Sequence, residues 1–210
     1  MRPVRNLLFD FGNVLIDIDV AGTKAHMESF LRPEVREEHG IEQLTQLVHS
    51  YETNQISTAE FADRIVLLSK PWIEASDIIE AWNGMLKEIT APRLPMLKAL
   101  KEKYRVMMLS NTNALHIEWV HQYVFATYHI RDFESQFFHN VYYSHQIGYR
   151  KPSEEAFSFV IQDSNIDPTE TLFIDDMEEN IHAAEKLGFQ TRLFSSHEEI
   201  VEVMGKMGFL

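Results

Sequence analysis

Four short stretches carry residue types that could do chemistry together. The first is Phe9-Asp10-Phe11-Gly12-Asn13, where an apolar run meets a carboxylate and then a turn. The second is Leu109-Ser110-Asn111-Thr112-Asn113, an apolar run ending in hydroxyls and amides. The third is Arg150-Lys151-Pro152, and the fourth is Phe173-Ile174-Asp175-Asp176, an apolar run ending in paired acids. Carboxylates gathered at one place repel one another, and a divalent cation relieves that repulsion. Oxygen donors with no sulfur point to magnesium rather than zinc. A lysine and a hydroxyl beside them would hold an anion. A cation, an anion site and a carboxylate nucleophile together describe phosphoryl transfer through an aspartyl phosphate.

These residues meet only if strands deliver them to one rim. Leu7-Leu8-Phe9 and Arg105 to Leu109 read as short buried strands, and Asn140 to Tyr143, Thr171 to Ile174 and Gln190 to Phe194 as further strands. Helical patterns separate them, at about 92–104, 114–123, 153–163 and 179–187, the last stopped by Gly188. Alternating strands and helices predict a Rossmann-like, doubly wound parallel sheet of the α/β class. In such a sheet ligands bind at the carboxyl ends of the strands. Gly12 and Asn13 would turn the chain sharply there.

Residues 20–87 break the alternation. They carry amphipathic helices and no convincing strand. Ser57 and Glu60 form a capping box ahead of Phe61, Ile65 and Leu68. Lys70-Pro71 would close that helix, and Ser76-Asp77 would open the next. Ser196 and Glu199 read as a second capping box near the C-terminus. The expected organisation is an α/β core of residues 1–19 and 88–210, with a small helical cap, 20–87, inserted after the first strand.

Composition narrows the partners. The 210 residues carry a formal net charge of -13, which disfavours nucleic acid and anionic membrane surfaces. There is no cysteine, so disulfides, thiolate nucleophiles and zinc–thiolate sites are excluded. No apolar run is long enough for a membrane span. The N-terminus has no long apolar region of the signal-peptide kind, and the expectation is a cytoplasmic protein.

The four stretches, in this order and on these strand ends, resemble the haloacid dehalogenase-like hydrolase superfamily. The closest likeness is to its small helical-cap phosphatases, among them sugar-phosphate phosphatases and the phosphatase-like domain of soluble epoxide hydrolases. The resemblance implies that Asp10 is the nucleophile and a magnesium ligand. Ser110 and the Asn111 amide would hold phosphate oxygens. Lys151 would neutralise both nucleophile and phosphoryl group. Asp176, Asp175 and the carbonyl of Gly12 would complete the metal site, and Asn180 would steady the acidic loop. One position departs from the family pattern. Gly12 stands where most members carry a second aspartate as general acid and base.

The expected activity is magnesium-dependent hydrolysis of a small phosphomonoester, such as a sugar phosphate. Two alternatives stand beside it: a 2-haloacid dehalogenase, or a catalytically weak binding or regulatory protein, for which Gly12 speaks. Other polar residues read as structural. Asp17 and Asp19 are expected in turn or cap roles, and Asn113 as a helix cap. His116, His121, His129 and His139 are expected at the surface or in loops. Trp72 and Trp82 are expected in the core. Arg150 reads equally as a substrate contact or a surface residue.

Overall fold

The computed structural model describes every residue except Met1, His39 and Ser196. The expected architecture is present. β1 (Asn6–Phe9) leads into five helices: α1 (Val20–Phe30), α2 (Pro33–Glu38), α3 (Gly40–Glu52), α4 (Thr58–Leu68) and α5 (Ala75–Asn83). The chain then returns through α6 (Arg93–Lys103), β2 (Arg105–Ser110), α7 (Ala114–Tyr128), α8 (Phe133–Phe137) and β3 (Asn140–Tyr143). It continues with α9 (Ser144–Ile147), α10 (Glu154–Ser164), β4 (Thr171–Asp175), α11 (Glu178–Lys186), β5 (Gln190–Leu193) and α12 (Ile200–Lys206).

Among the described residues the strands form one sheet in the order β3-β2-β1-β4-β5. Every neighbouring pair is parallel. Strand residues alternate between two faces, and the core divides accordingly. Leu7, Phe9, Val106, Met108, Leu172 and Ile174 pack against α6, α7, α8 and α12. Leu8, Met107, Leu109 and Phe173 pack against Phe157 and Val160 of α10 and Ile181 and Ala184 of α11. The central strands β1, β2 and β4 are therefore dry on both sides, which is why they read as nearly unbroken apolar runs, while the edge strand β5 is half-buried.

The inserted helices have an apolar centre of their own, built from Met27, Leu31, Tyr51, Phe61, Ile65 and Trp82 among others. The capping box at α4 forms as expected, with the Ser57 amide donating to Glu60 at 2.8 Å and the Glu60 amide to Ser57 Oγ at 3.2 Å. The start of α5 differs from expectation. Its N-cap is Glu74, whose amide donates to Asp77 at 2.8 Å, and Ser76 lies inside the first turn. The two connecting segments run side by side. The Asp17 amide donates to the Glu88 carbonyl at 2.8 Å and the Lys87 amide to the Asp17 carbonyl at 2.9 Å. Glu199 is the N-cap residue of α12, and its carboxylate receives Arg93 at 3.0 Å. The capping box expected there involves Ser196, which lies outside the described residues.

Trp72 corrects the sequence reading. It is 71% exposed, whereas Trp82 is buried. His116 is a second correction. It is buried on α7 and stacks on the Trp82 ring at 5.0 Å, and its Nε2 meets the Trp82 carbonyl at 3.1 Å. A histidine there joins the core helix to the helical insertion. Burial pushes its pKa down, to about 4 from 6.5. As pH falls, the unfolded chain therefore takes up this proton before the folded one. The stability tied to neutral His116 is complete above pH 6.5 and is lost as pH drops toward 4. We expect wild type to lose about 2 kcal/mol more than His116→Gln between pH 7 and 4.5. Urea denaturation at the two pH values measures this, and parallel losses in the two proteins would refute the assignment.

Candidate functional site

The site begins with parallel register. Phe9 lies opposite Met108 on one side and Ile174 on the other. The next residues along each strand, Asp10, then Leu109 and Ser110, then Asp175, consequently emerge at the same rim. The Asp10 amide continues the ladder, donating to the Ile174 carbonyl at 2.8 Å. Lys151 reaches the rim from the loop after α9, across a cis peptide bond to Pro152.

Lys151 is only 2% exposed, and its ammonium sits between two carboxylates. Nζ donates to Asp10 Oδ1 and to Asp175 Oδ2, each at 2.6 Å. Burial alone would pull the lysine pKa down, but Asp10 and Asp175 together raise it above its ordinary value. The group stays charged. Asp10 experiences the opposite balance. Burial pushes its carboxyl up, Lys151 opposes that, Asp175 and Asp176 add to it, and the net pKa is raised to about 7. The Asp176 carboxyl is also raised, chiefly by burial, against the opposing Asn13 hydrogen bond.

The structure brings all the predicted site residues to one chamber or its floor, and it divides their work. The two oxygens of Asp175 are already engaged. Oδ2 holds Lys151, and Oδ1 accepts from the Met177 amide at 2.8 Å and Asn180 Nδ2 at 2.9 Å. Asp175 thus orients the lysine and the acidic loop. Asn180 steadies that loop as the resemblance implied. Asp176 faces the chamber and accepts from Asn13 Nδ2 at 2.8 Å. Ser110 and Asn111 also line the chamber. The Asn111 side chain has a further task. It pins the Lys151 backbone in both directions, donating to the carbonyl at 2.9 Å and accepting from the amide at 2.8 Å.

The turn after Asp10 is made differently from expectation. Asn13, with φ 57°, takes the left-handed conformation, a role Asn tolerates better than most residues. Gly12 serves space rather than rotation. A Cβ there would lie 2.8 Å from Ile18 Cδ1. Any side chain at position 12 therefore requires Ile18 to move.

The donors fit a hard cation. One oxygen from each of Asp10, Asp175 and Asp176 falls within 4.8 Å of the others. Asn180 Oδ1 is buried beside this group with no hydrogen-bond partner among the described residues. An orphaned amide oxygen and clustered carboxylates are oxygen ligands of the kind magnesium takes. The histidines contribute no such cluster among the described residues. His121 pairs with Glu134 at 2.6 Å, and His139 accepts from the Val106 amide at 3.1 Å.

The residues read as structural are structural. Asp19 caps α1 through the Gly22 amide at 2.8 Å, and Asn113 caps α7 through the His116 amide at 3.1 Å. Sequence reasoning missed four pairings. Arg93, buried, holds Asp17 at 2.7 Å and Glu199 at 3.0 Å. Asn13 orients Asp176. Arg150 pairs with Glu52 of α3 at 3.0 Å, joining the insertion to the core. No local pattern signals these contacts, because each joins residues far apart in the chain.

Fold and site together define an α/β protein built around a strand-end carboxylate. It belongs to the haloacid dehalogenase-like hydrolases, whose family model matches residues 4–188. A curated relative is D-ribitol-5-phosphate phosphatase of Bacteroides thetaiotaomicron, 31% identical over 193 residues that make up 90% of each chain. A crystal structure of a haloacid dehalogenase-family enzyme from the same organism, in complex with magnesium and inorganic phosphate, superposes with a TM-score of 0.80. It is 34% identical, covering 95% of this chain and 98% of that one. A predicted hydrolase of the family from Porphyromonas gingivalis superposes with a TM-score of 0.79 at 28% identity, covering 98% of each chain.

A chamber floor of clustered acids predicts cation-dependent stability. Saturating magnesium, at about a hundredfold over its Kd, should raise Tm by about 5–10 °C. EDTA should reverse the rise, and Asp176→Asn should remove most of it. Scanning fluorimetry reads this directly. An unchanged melting curve in magnesium would exclude a cation site here.

Proposed function

We propose that this protein is a magnesium-dependent phosphatase that hydrolyses a small phosphomonoester, with a sugar or sugar-alcohol phosphate as the substrate class. The single observation that carries the reading is the buried Lys151 ammonium, 2.6 Å from both Asp10 and Asp175, beside the unpaired face of the acid cluster. The curated relative named above, which acts on a pentitol phosphate, supports the class of leaving group.

In this reading Asp10 is the nucleophile. Its free oxygen attacks phosphorus while Lys151 holds the other. The bond from phosphorus to the ester oxygen breaks as the bond to Asp10 forms, giving an aspartyl phosphate and an alcohol. A water molecule then attacks phosphorus, and the Asp10–phosphorus bond breaks, returning the carboxylate and releasing inorganic phosphate. The Ser110 hydroxyl and the Asn111 amide hold the phosphoryl oxygens, and Lys151 balances their charge. Preorganised donors of this kind act most strongly on the transition state, where charge builds on the phosphoryl oxygens. Asp10, Asp176 and the Gly12 carbonyl would hold magnesium, with Asp175 in support. The bound ion supplies positive charge against the phosphoryl oxygens.

Gly12 offers the departing alkoxide no proton, so that proton comes from solvent. A carboxyl group at position 12 would first require the Ile18 side chain to shift, since a Cβ there would lie 2.8 Å from Ile18 Cδ1. Displacement of halide from carbon has no use for a cation among three carboxylates, and the acid cluster therefore favours phosphate. Residues 20–87 act as the cap over the core of 1–19 and 88–210, with the paired segments at 17–19 and 85–88 as the joint. The partner is a small phosphorylated metabolite. No helix is long and apolar enough to cross a membrane among the described residues. A cytoplasmic location agrees with the sequence reading and with the absence of cysteine.

Phosphate release from a panel of phosphomonoesters tests the reading. Release should require magnesium and stop in EDTA, and Asp10→Asn should lower kcat by about a thousandfold or more. Full turnover in EDTA, or in Asp10→Asn, would overturn it.

A further inference from the structure

The chamber above Asp10 has a volume of about 390 Å³. The insertion supplies most of its wall, and that wall is largely apolar, with Met27, Leu44, Val48 and Trp82 contributing. Among the insertion's charged residues on that wall, Glu52 is the buried one. It lies at the C-terminal end of α3, lines the chamber and is 9% exposed. Its Oε2 accepts Arg150 Nε at 3.1 Å and Arg150 Nη2 at 3.0 Å. Its Oε1 has no hydrogen-bond partner among the described residues. Oε2 is spent on Arg150, so Oε1 is the oxygen left open to the chamber, where a bound molecule can donate to it.

The charges around Glu52 narrow the donor. Arg150 already neutralises the carboxylate, so the missing partner need not be a cation. The other cation on the chamber wall, Lys24, is matched by Glu28 at 4.0 Å. A second phosphate or a carboxylate on the substrate would therefore meet acids and find no unmatched cation on the wall. A neutral hydroxyl meets what the site offers. Carbon atoms bearing such hydroxyls also present C–H edges to an apolar wall.

We propose that Glu52 is a specificity residue whose free Oε1 accepts a hydrogen bond from a hydroxyl of the leaving group. The substrate is accordingly the monophosphate of an uncharged, polyhydroxylated carbon chain. The proposal rests on the phosphatase reading above and adds what the cap recognises.

The test compares two phosphomonoesters with the same kind of ester oxygen, a pentitol 5-phosphate and n-pentyl phosphate. p-Nitrophenyl phosphate reports phosphatase competence alone. Wild type should prefer the pentitol ester. Glu52→Met should lower the ratio of kcat/KM values, pentitol over pentyl, by about tenfold or more, mainly through KM for the pentitol ester. Arg150→Met breaks the same ion pair and retains Oε1, so it should keep more of the preference than Glu52→Met. If Glu52→Met does not fold by its melting curve, Glu52→Ala, which also lacks the acceptor, takes its place in the same comparison. Equal fractional losses on both esters, or equal loss of preference in the Arg150 and Glu52 variants, would reduce Glu52 to a structural ion pair and overturn the proposal. Wild type without activity on any of the three esters would instead overturn the phosphatase reading beneath it.

Discussion

The structure depends on one buried ammonium. Lys151 joins the ends of two strands by lying between Asp10 and Asp175, at 2.6 Å from each. An ammonium in that position would be expensive to desolvate alone, and each carboxylate would be expensive without it. Together they form a group whose net charge is still negative once Asp176 is counted. That residual charge is what makes the rim a place for a cation, while the ammonium makes it a place for an anion. These four residues are the ones the proposed reaction uses for both halves of phosphoryl transfer.

The rest of the fold holds this group still. Parallel register delivers Asp10 and Asp175 on adjacent strands. The Asn111 side chain clamps the lysine's own backbone, and Asn180 and the Met177 amide clamp Asp175. Asn13 turns the chain after Asp10 and spends its amide on Asp176. The sheet below is packed on both faces, so the strand ends have little freedom. The helical insertion is tethered by contacts of a different kind: Arg150 to Glu52, His116 to Trp82, and a pair of side-by-side connecting segments.

Much of this was legible in the sequence because local patterns encode it. Buried parallel strands are unbroken apolar runs, and an acid at the end of such a run marks the rim. The Ser57 capping box and the Asn113 cap are local hydrogen bonds between residues three apart, so spacing finds them. What was not legible is long-range. The Asn111 clamp on Lys151, the Arg93 bridge to Asp17 and Glu199, and the Arg150–Glu52 pair depend on which loops meet in space. Trp72 and His116 were misplaced for a related reason. The packing of α5 on α7 buries His116 against Trp82, while Trp72 lies in the connection between α4 and α5 and stays exposed. At Gly12 the sequence showed the missing carboxyl. The crowding by Ile18 needed coordinates.

The central claim is that Asp10 forms a covalent bond to phosphorus. Acid quenching of the enzyme during turnover of a phosphomonoester in magnesium, followed by peptide mass spectrometry, tests it most directly. The account predicts that the peptide containing Asp10 gains the mass of one phosphoryl group and that no other peptide does. Turnover with an unmodified Asp10 peptide, when the quench is fast enough to catch the intermediate, or with the label on another residue, would contradict it.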